Sequence, residues 1–130
     1  MKKIIIFTFL LTGIVISASE YRNGTYRGVF VSSQETQVEV QFNLKDDTIN
    51  KPKFRTLFYK GNDYLKNENL KDEKERYQAA LDSTQGKEVK TALESLYTPQ
   101  DIPRAGASVR ATKIRAAIQN ALNSGAYKPE

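Results

Sequence analysis

The chain has 130 residues, a formal charge of +5, 39 % hydrophobic residues, and neither cysteine nor histidine. The missing cysteines exclude disulfides, a thiol nucleophile, iron–sulfur clusters and cysteine-bound zinc; the missing histidines exclude a Ser-His-Asp hydrolase, histidine-ligated haem and the usual catalytic zinc site. The length allows one modest domain, and the charge is too small and scattered to predict a nucleic-acid partner, so redox work would need an organic cofactor.

Residues 1–19 open with basic Lys2 and Lys3, continue through an apolar run at 4–16 interrupted by Thr8, Thr12 and Gly13, and end on Ser17, Ala18 and Ser19. That order predicts a secretory signal with Glu20 as first mature residue, and hence an exported domain over 20–130 in the periplasm, on the cell surface or outside the cell. The apolar run falls short of the roughly 20 residues that span a bilayer, and no cysteine follows it to carry a lipid. Loss of Lys2 and Lys3 lowers the formal charge to +3.

Residues 24–31 carry Tyr26, Phe30 and Val31, a strand composition, and 32–36 reads as a turn. Over 37–44, Val38, Val40, Phe42 and Leu44 alternate with Gln37, Glu39, Gln41 and Asn43, the pattern of a half-buried strand. Lys45, Asp46 and Asp47 predict a hairpin turn into a third strand at 48–59, where Pro52 requires a bulge or an edge position. Three antiparallel strands in sequence form a meander whose apolar face needs a cover.

Helices provide that cover. Asp72 and Glu75 have the spacing of a capping box for a helix with Tyr77, Ala80 and Leu81 on its apolar stripe, ending by Gly86. A second helix over 87–96 places Val89, Ala92, Leu93 and Leu96 inward and stops before Thr98 and Pro99. The signs of charge between Lys66 and Arg76 alternate, as on a solvated face. Residues 97–103 form a short connection stiffened by two prolines. The fold class expected is therefore α+β: a small antiparallel sheet of at least three strands against about three helices.

The third helix, over 109–123, has Ile114, Ile118, Ala121 and Leu122 at helical spacing, with Gly125 as its stop. Before it stand Asp101, then Ala105, Gly106 and Ala107, then Ser108. Small residues followed by a hydroxyl at a helix start admit two readings. Ser108 is an ordinary N-cap, or it holds a phosphate among free backbone amides at the positive end of the helix dipole.

The run Asp101-x-x-x-x-Gly106-Ala107-Ser108, the helix Lys113 to Leu122 and the trailing Gly-Ala-Tyr127 resemble the C-terminal signature of the FMN-binding domain family. That family includes the flavin-carrying subunits of sodium-translocating NADH:quinone reductase and exported bacterial flavoproteins. Residues 23–28, 37–44 and 54–59 are similar to its opening strands. The resemblance implies FMN joined by a phosphodiester to Ser108, delivered from FAD by a flavin transferase, with close approach at Gly106 and Ala107. Asp101 would serve the transferase, through a metal or by orienting the hydroxyl. The chain carries Arg104 and Ala105 where the family usually has hydroxyl residues, and Ser108 in place of the usual threonine. A flavin-free module of the same fold and a non-covalent FMN binder are the alternatives.

Among the aromatics, Tyr26, Phe30, Phe42 and Phe54 fit core or cross-strand positions. Phe58, Tyr59 and Tyr64 cluster around Gly61, where the third strand runs into a polar loop, and are the candidates for a flavin-facing wall. The function expected is an electron-transfer carrier rather than a self-contained enzyme. Its expected partner is a redox protein or a membrane electron-transfer complex.

Overall fold

The structure, a computed structural model, describes residues 19–106 and 110–127. The expected signal before residue 19 lies outside them, as do Ala107 and Ser108. Among the described residues no helix is long and apolar enough to cross a membrane.

The fold is α+β. Strands β1 (Gly24–Ser32), β2 (Glu35–Lys45), β3 (Thr48–Tyr59) and the short β4 (Asn62–Asp63) form an antiparallel meander in sequence order. Helices α1 (Lys71–Asp82), α2 (Val89–Ser95) and α3 (Ala111–Ser124) follow. Three two-residue turns join the strands: Ser33 and Gln34, Asp46 and Asp47, Lys60 and Gly61, each with positive φ at both positions. This backbone hand matches the twist of the strands it connects. The fourth strand extends the three expected, and Tyr64 N–H continues its pairing by donating to the Leu57 carbonyl at 2.8 Å.

The alternation along β2 holds: Val38, Val40, Phe42 and Leu44 are all buried. Tyr26 stacks on Phe42 with centroids 5.7 Å apart, and its hydroxyl donates to the Arg22 carbonyl. The helical stripes close this face with Ala80, Leu81, Val89, Ala92, Leu93, Leu96, Ile114, Ile118 and Leu122. Pro52 sits at a bulge. The pairing steps from Gln41↔Lys53 to Asn43↔Asn50, which leaves an extra β3 residue beside Lys51, whose φ is 54°.

Asp72 is not the cap of α1. Asn67 accepts the Asn69 amide and starts a 3-10 turn at Glu68–Leu70 that runs directly into Lys71. Asp72 and Glu73 therefore lie inside the first turn, where carboxylates suit the helix dipole. The true side-chain cap is on α2, where Glu88 accepts the Thr91 amide at 3.1 Å.

Helix α3 lies across β1 at Gly28. A Cβ there would stand 2.0 Å from the Ala117 carbonyl oxygen and 2.5 Å from the Ala121 nitrogen, so only glycine allows the two backbones to meet. The free edge of β1 is closed by the same helix and its tail. Val29 N–H donates to Asn120 Oδ1 at 3.0 Å, and Tyr127 N–H donates to the Thr25 carbonyl at 2.6 Å. Gly125 ends α3 with φ 85°, as its position in the sequence predicts.

Candidate functional site

At the far end of α3 from Gly28, a small cavity opens between the first turn of that helix and the ends of β2 and β3. Its lining includes Gln37, Phe58, Tyr59, Tyr64, Tyr77 and Lys113. The space is about 10 Å³, enough for one water-sized sphere.

Gln37 belongs by sequence parity to the outer sheet face, yet it is only 6 % exposed. The pairing explains this. Val38 opposes Phe30 and Thr36 opposes Val31, which leaves Gln37 unopposed in a β-bulge that re-aims its side chain toward the cavity. Its Nε2 donates to Glu35 Oε1 at 2.8 Å, which fixes the amide orientation, since the reverse would set oxygen against a carboxylate. Gln37 Oε1 is then a buried acceptor without a partner.

Three cations converge on the Tyr59 ring. Lys113 Nζ stands 4.2 Å from its centroid, Lys60 Nζ 5.3 Å and the Arg110 guanidinium carbon 5.9 Å. Desolvation, and then repulsion from Arg110, hold the Lys113 ammonium below its ordinary pKa. The carboxylate that acts on Lys113, Glu35, is engaged elsewhere: it accepts the Gly61 and Lys60 amides, at 3.0 and 3.2 Å. The Gly61 amide, followed by the Gln37 side chain, holds its carboxyl below the usual range. Tyr64 and Tyr77 meet edge to face at 6.0 Å, and burial pushes both phenols up.

The three aromatics expected from the sequence, Phe58, Tyr59 and Tyr64, thus share one cavity wall. The other candidates lie elsewhere. Asp101 falls in a 3-10 turn, Pro99–Asp101, and lines an open depression of about 660 Å³ with Arg104 and Gly106. Gly106 has φ 76°, and a Cβ on it would meet nothing within 4 Å, so its backbone is open to approach. Ala107 and Ser108 lie outside the described residues. Two positions after Ser108 in the sequence, Arg110 N–H donates to Tyr77 Oη at 3.3 Å, which ties the start of α3 to the aromatic wall.

Gln37, Tyr77, Arg110 and Lys113 are not marked as site residues by the sequence. Tyr77 reads as part of a core stripe and Gln37 as a solvated strand residue; only the bulge and the approach of α3 bring them together. Among the described residues no cluster of acidic side chains could hold a metal ion. Compared with family models, with curated proteins and with solved structures, the chain has no match.

Proposed function

We propose that the chain is an exported electron-transfer domain that carries FMN esterified to Ser108. The observation that carries this reading is the Tyr77–Arg110 hydrogen bond. It holds the residue two positions after Ser108 against a rim that is both aromatic and cationic.

The side chains there fit an anionic, aromatic group. Lys113, Arg110 and Lys60 offer positive charge to a phosphate. Tyr59 offers a ring face, and Phe58 and Tyr64 complete the wall. Gln37 Oε1 lacks a donor, and the cavity has room for one water that would donate to it and accept from a ring N–H at the rim. The enclosed space is too small for a ring system, so a flat ligand would meet the rim formed by Tyr59 and Lys113.

FMN, when bound, supplies the capacity to take one or two electrons. The chain's own part is to bind and orient it. Gly106 and Ala107 leave the backbone approachable, and Asp101 serves the transferase. In attachment, the Ser108 hydroxyl would take the flavin-side phosphorus of FAD held by that enzyme as a phosphodiester, with cleavage of the pyrophosphate bond, AMP as the leaving group and release of the hydroxyl proton. A redox protein or membrane complex would then exchange electrons with the carrier.

The test is to express the whole chain in a bacterium that contains a flavin transferase, then measure intact mass and absorbance. Added FMN mass on the Ser108 peptide, with colour that survives denaturation, is the expected result; Ser108→Ala should abolish both. Colour lost on unfolding would replace the ester with non-covalent binding. A colourless chain of unmodified mass would leave a flavin-free module.

A further inference from the structure

The amides of Glu20 and Tyr21 converge on one carboxylate. Glu20 N–H donates to Asp47 Oδ2 at 2.8 Å and Tyr21 N–H to Asp47 Oδ1 at 2.9 Å. Asp47 is the second residue of the β2–β3 turn, with φ 62°, and its carbonyl accepts the Val89 amide at 2.8 Å at the start of α2. The Asp47 backbone is therefore fixed by the turn and by α2, which positions its side chain toward the N-terminal segment. The Glu20 side chain is drawn away to an ion pair with Lys90 on α2, which leaves Asp47 to the Glu20 nitrogen.

The same nitrogen is the atom that cleavage after Ser19 would release. We propose that Asp47 is the receptor for a new amino terminus, created when the Ser19–Glu20 peptide bond is hydrolysed. One water is consumed, Ser19 keeps the carboxylate, and the Glu20 nitrogen becomes an ammonium already within hydrogen-bond distance of Asp47 Oδ2. A neutral amide donor is thereby replaced by a charged one, and charge-assisted hydrogen bonds are roughly twice as strong as neutral ones. Among the described residues all strands and helices lie beyond residue 20, so the cut removes none of these. Two observations of different kind meet at this atom: small residues at 17–19 in the sequence, and the aim of a carboxylate in the fold. Neither depends on the flavin reading.

The charged and titratable groups around the new terminus are Asp47 from the hairpin turn, its own Glu20 carboxylate, the neighbouring Tyr21, and Lys90 of α2, which is itself beside Glu88. An ammonium that pairs with Asp47 only in the folded chain would have a higher pKa there than in the unfolded chain. The added stability is therefore complete below the unfolded value of about 7.7–8.0 and is lost as pH rises through the folded value.

The experiment begins with the full chain exported from a bacterium, its first residue read by mass spectrometry of the N-terminal peptide. Glu20 is expected; any other start overturns the proposal. The processed chain is then compared with one that keeps Ser19, each with and without Asp47→Asn, by urea unfolding at about pH 6 and pH 10. Asp47→Asn should lower the folding constant of the Glu20-started chain about threefold more than that of the Ser19-started chain at the lower pH, the scale of an exposed ion pair. That excess should vanish at the higher pH. Equal effects in both chains at the lower pH would show that Asp47 binds only backbone amides there.

Discussion

The two ends of α3 are built on opposite rules. At its C-terminal half, Ala117 and Ala121 press on Gly28 so closely that no side chain fits between helix and strand. At its N-terminal half, Arg110 and Lys113 stand over Tyr59 beside a cavity with an unpaired buried oxygen. Dense apolar packing with satisfied backbone is what stability requires; converging like charges and an orphaned acceptor work against it. One helix thus joins an anchored end, which fixes its position, to an end where cations converge beside an unsatisfied oxygen. Among the described residues the buried side-chain atoms without a partner are Gln37 Oε1, beside the first turn of α3, and Arg115 Nε, one turn further along the helix.

The most severe disturbance acts at the anchor. Gly28→Ala puts a Cβ against main-chain atoms that cannot rotate away, so α3 must lift from β1. The expected loss is about 3 kcal/mol, the upper part of the range for overpacking. Urea unfolding measures it, and a loss near zero would mean the helix shifts freely and is no anchor. Because the same helix carries Arg110 and Lys113, flavin attachment should fall as well.

Tyr77→Phe comes next. It removes the acceptor of the Arg110 amide while keeping the edge-to-face contact with Tyr64. The expected cost is about 1 kcal/mol. Faster hydrogen exchange at the Arg110 amide would locate it, and unchanged exchange there would remove the tie between loop and wall.

These contacts show which parts of the molecule are legible in the sequence. The strand alternation of β2 and the stripes of α1, α2 and α3 can be read directly, because each residue's burial follows from its own period. Gln37 cannot be read, since a bulge reverses the parity of a strand and depends on register with β1. The type of turn at Lys60 and Gly61, and so the existence of β4, rests on paired positive φ values rather than on composition. The start of α1 departs from the expected capping box because Asn67 and a 3-10 turn take over the role given to Asp72. In the candidate site, Phe58, Tyr59 and Tyr64 are legible as a local cluster. Their companions Gln37, Tyr77 and Lys113 come from distant segments, and only packing unites them.

Gln37→Leu probes the unsatisfied end directly. Leucine removes the orphaned oxygen at similar volume but also breaks the bond to Glu35. The two effects oppose, so the flavin-free chain should stay within about 1 kcal/mol of wild type. The flavin-carrying chain should show a shifted flavin absorbance and midpoint potential. A spectrum and potential identical to wild type would mean Gln37 does not face the ligand.

The smallest effect is a pH slope, and it reports on what fills the rim. Desolvation and Arg110 lower the pKa of Lys113 in the folded chain, so the unfolded state binds more protons above that value. Stability should therefore rise with pH through this window toward the ordinary lysine range, and Lys113→Met should remove that rise. Glu35 acts at the other extreme. Its lowered pKa gives stability that is present above the ordinary carboxylate range and lost as pH falls through the folded value, and Glu35→Gln should flatten that loss. Urea midpoints from about pH 3 to pH 10 separate the two, because the groups titrate in different windows. The decisive comparison is the alkaline slope with and without flavin. A phosphate beside Lys113 favours the ammonium and raises its pKa, so the rise seen in the bare chain should disappear in the flavinylated one. An unchanged Lys113-dependent slope after attachment would mean that the phosphate lies away from this rim and that the cations around Tyr59 serve another purpose.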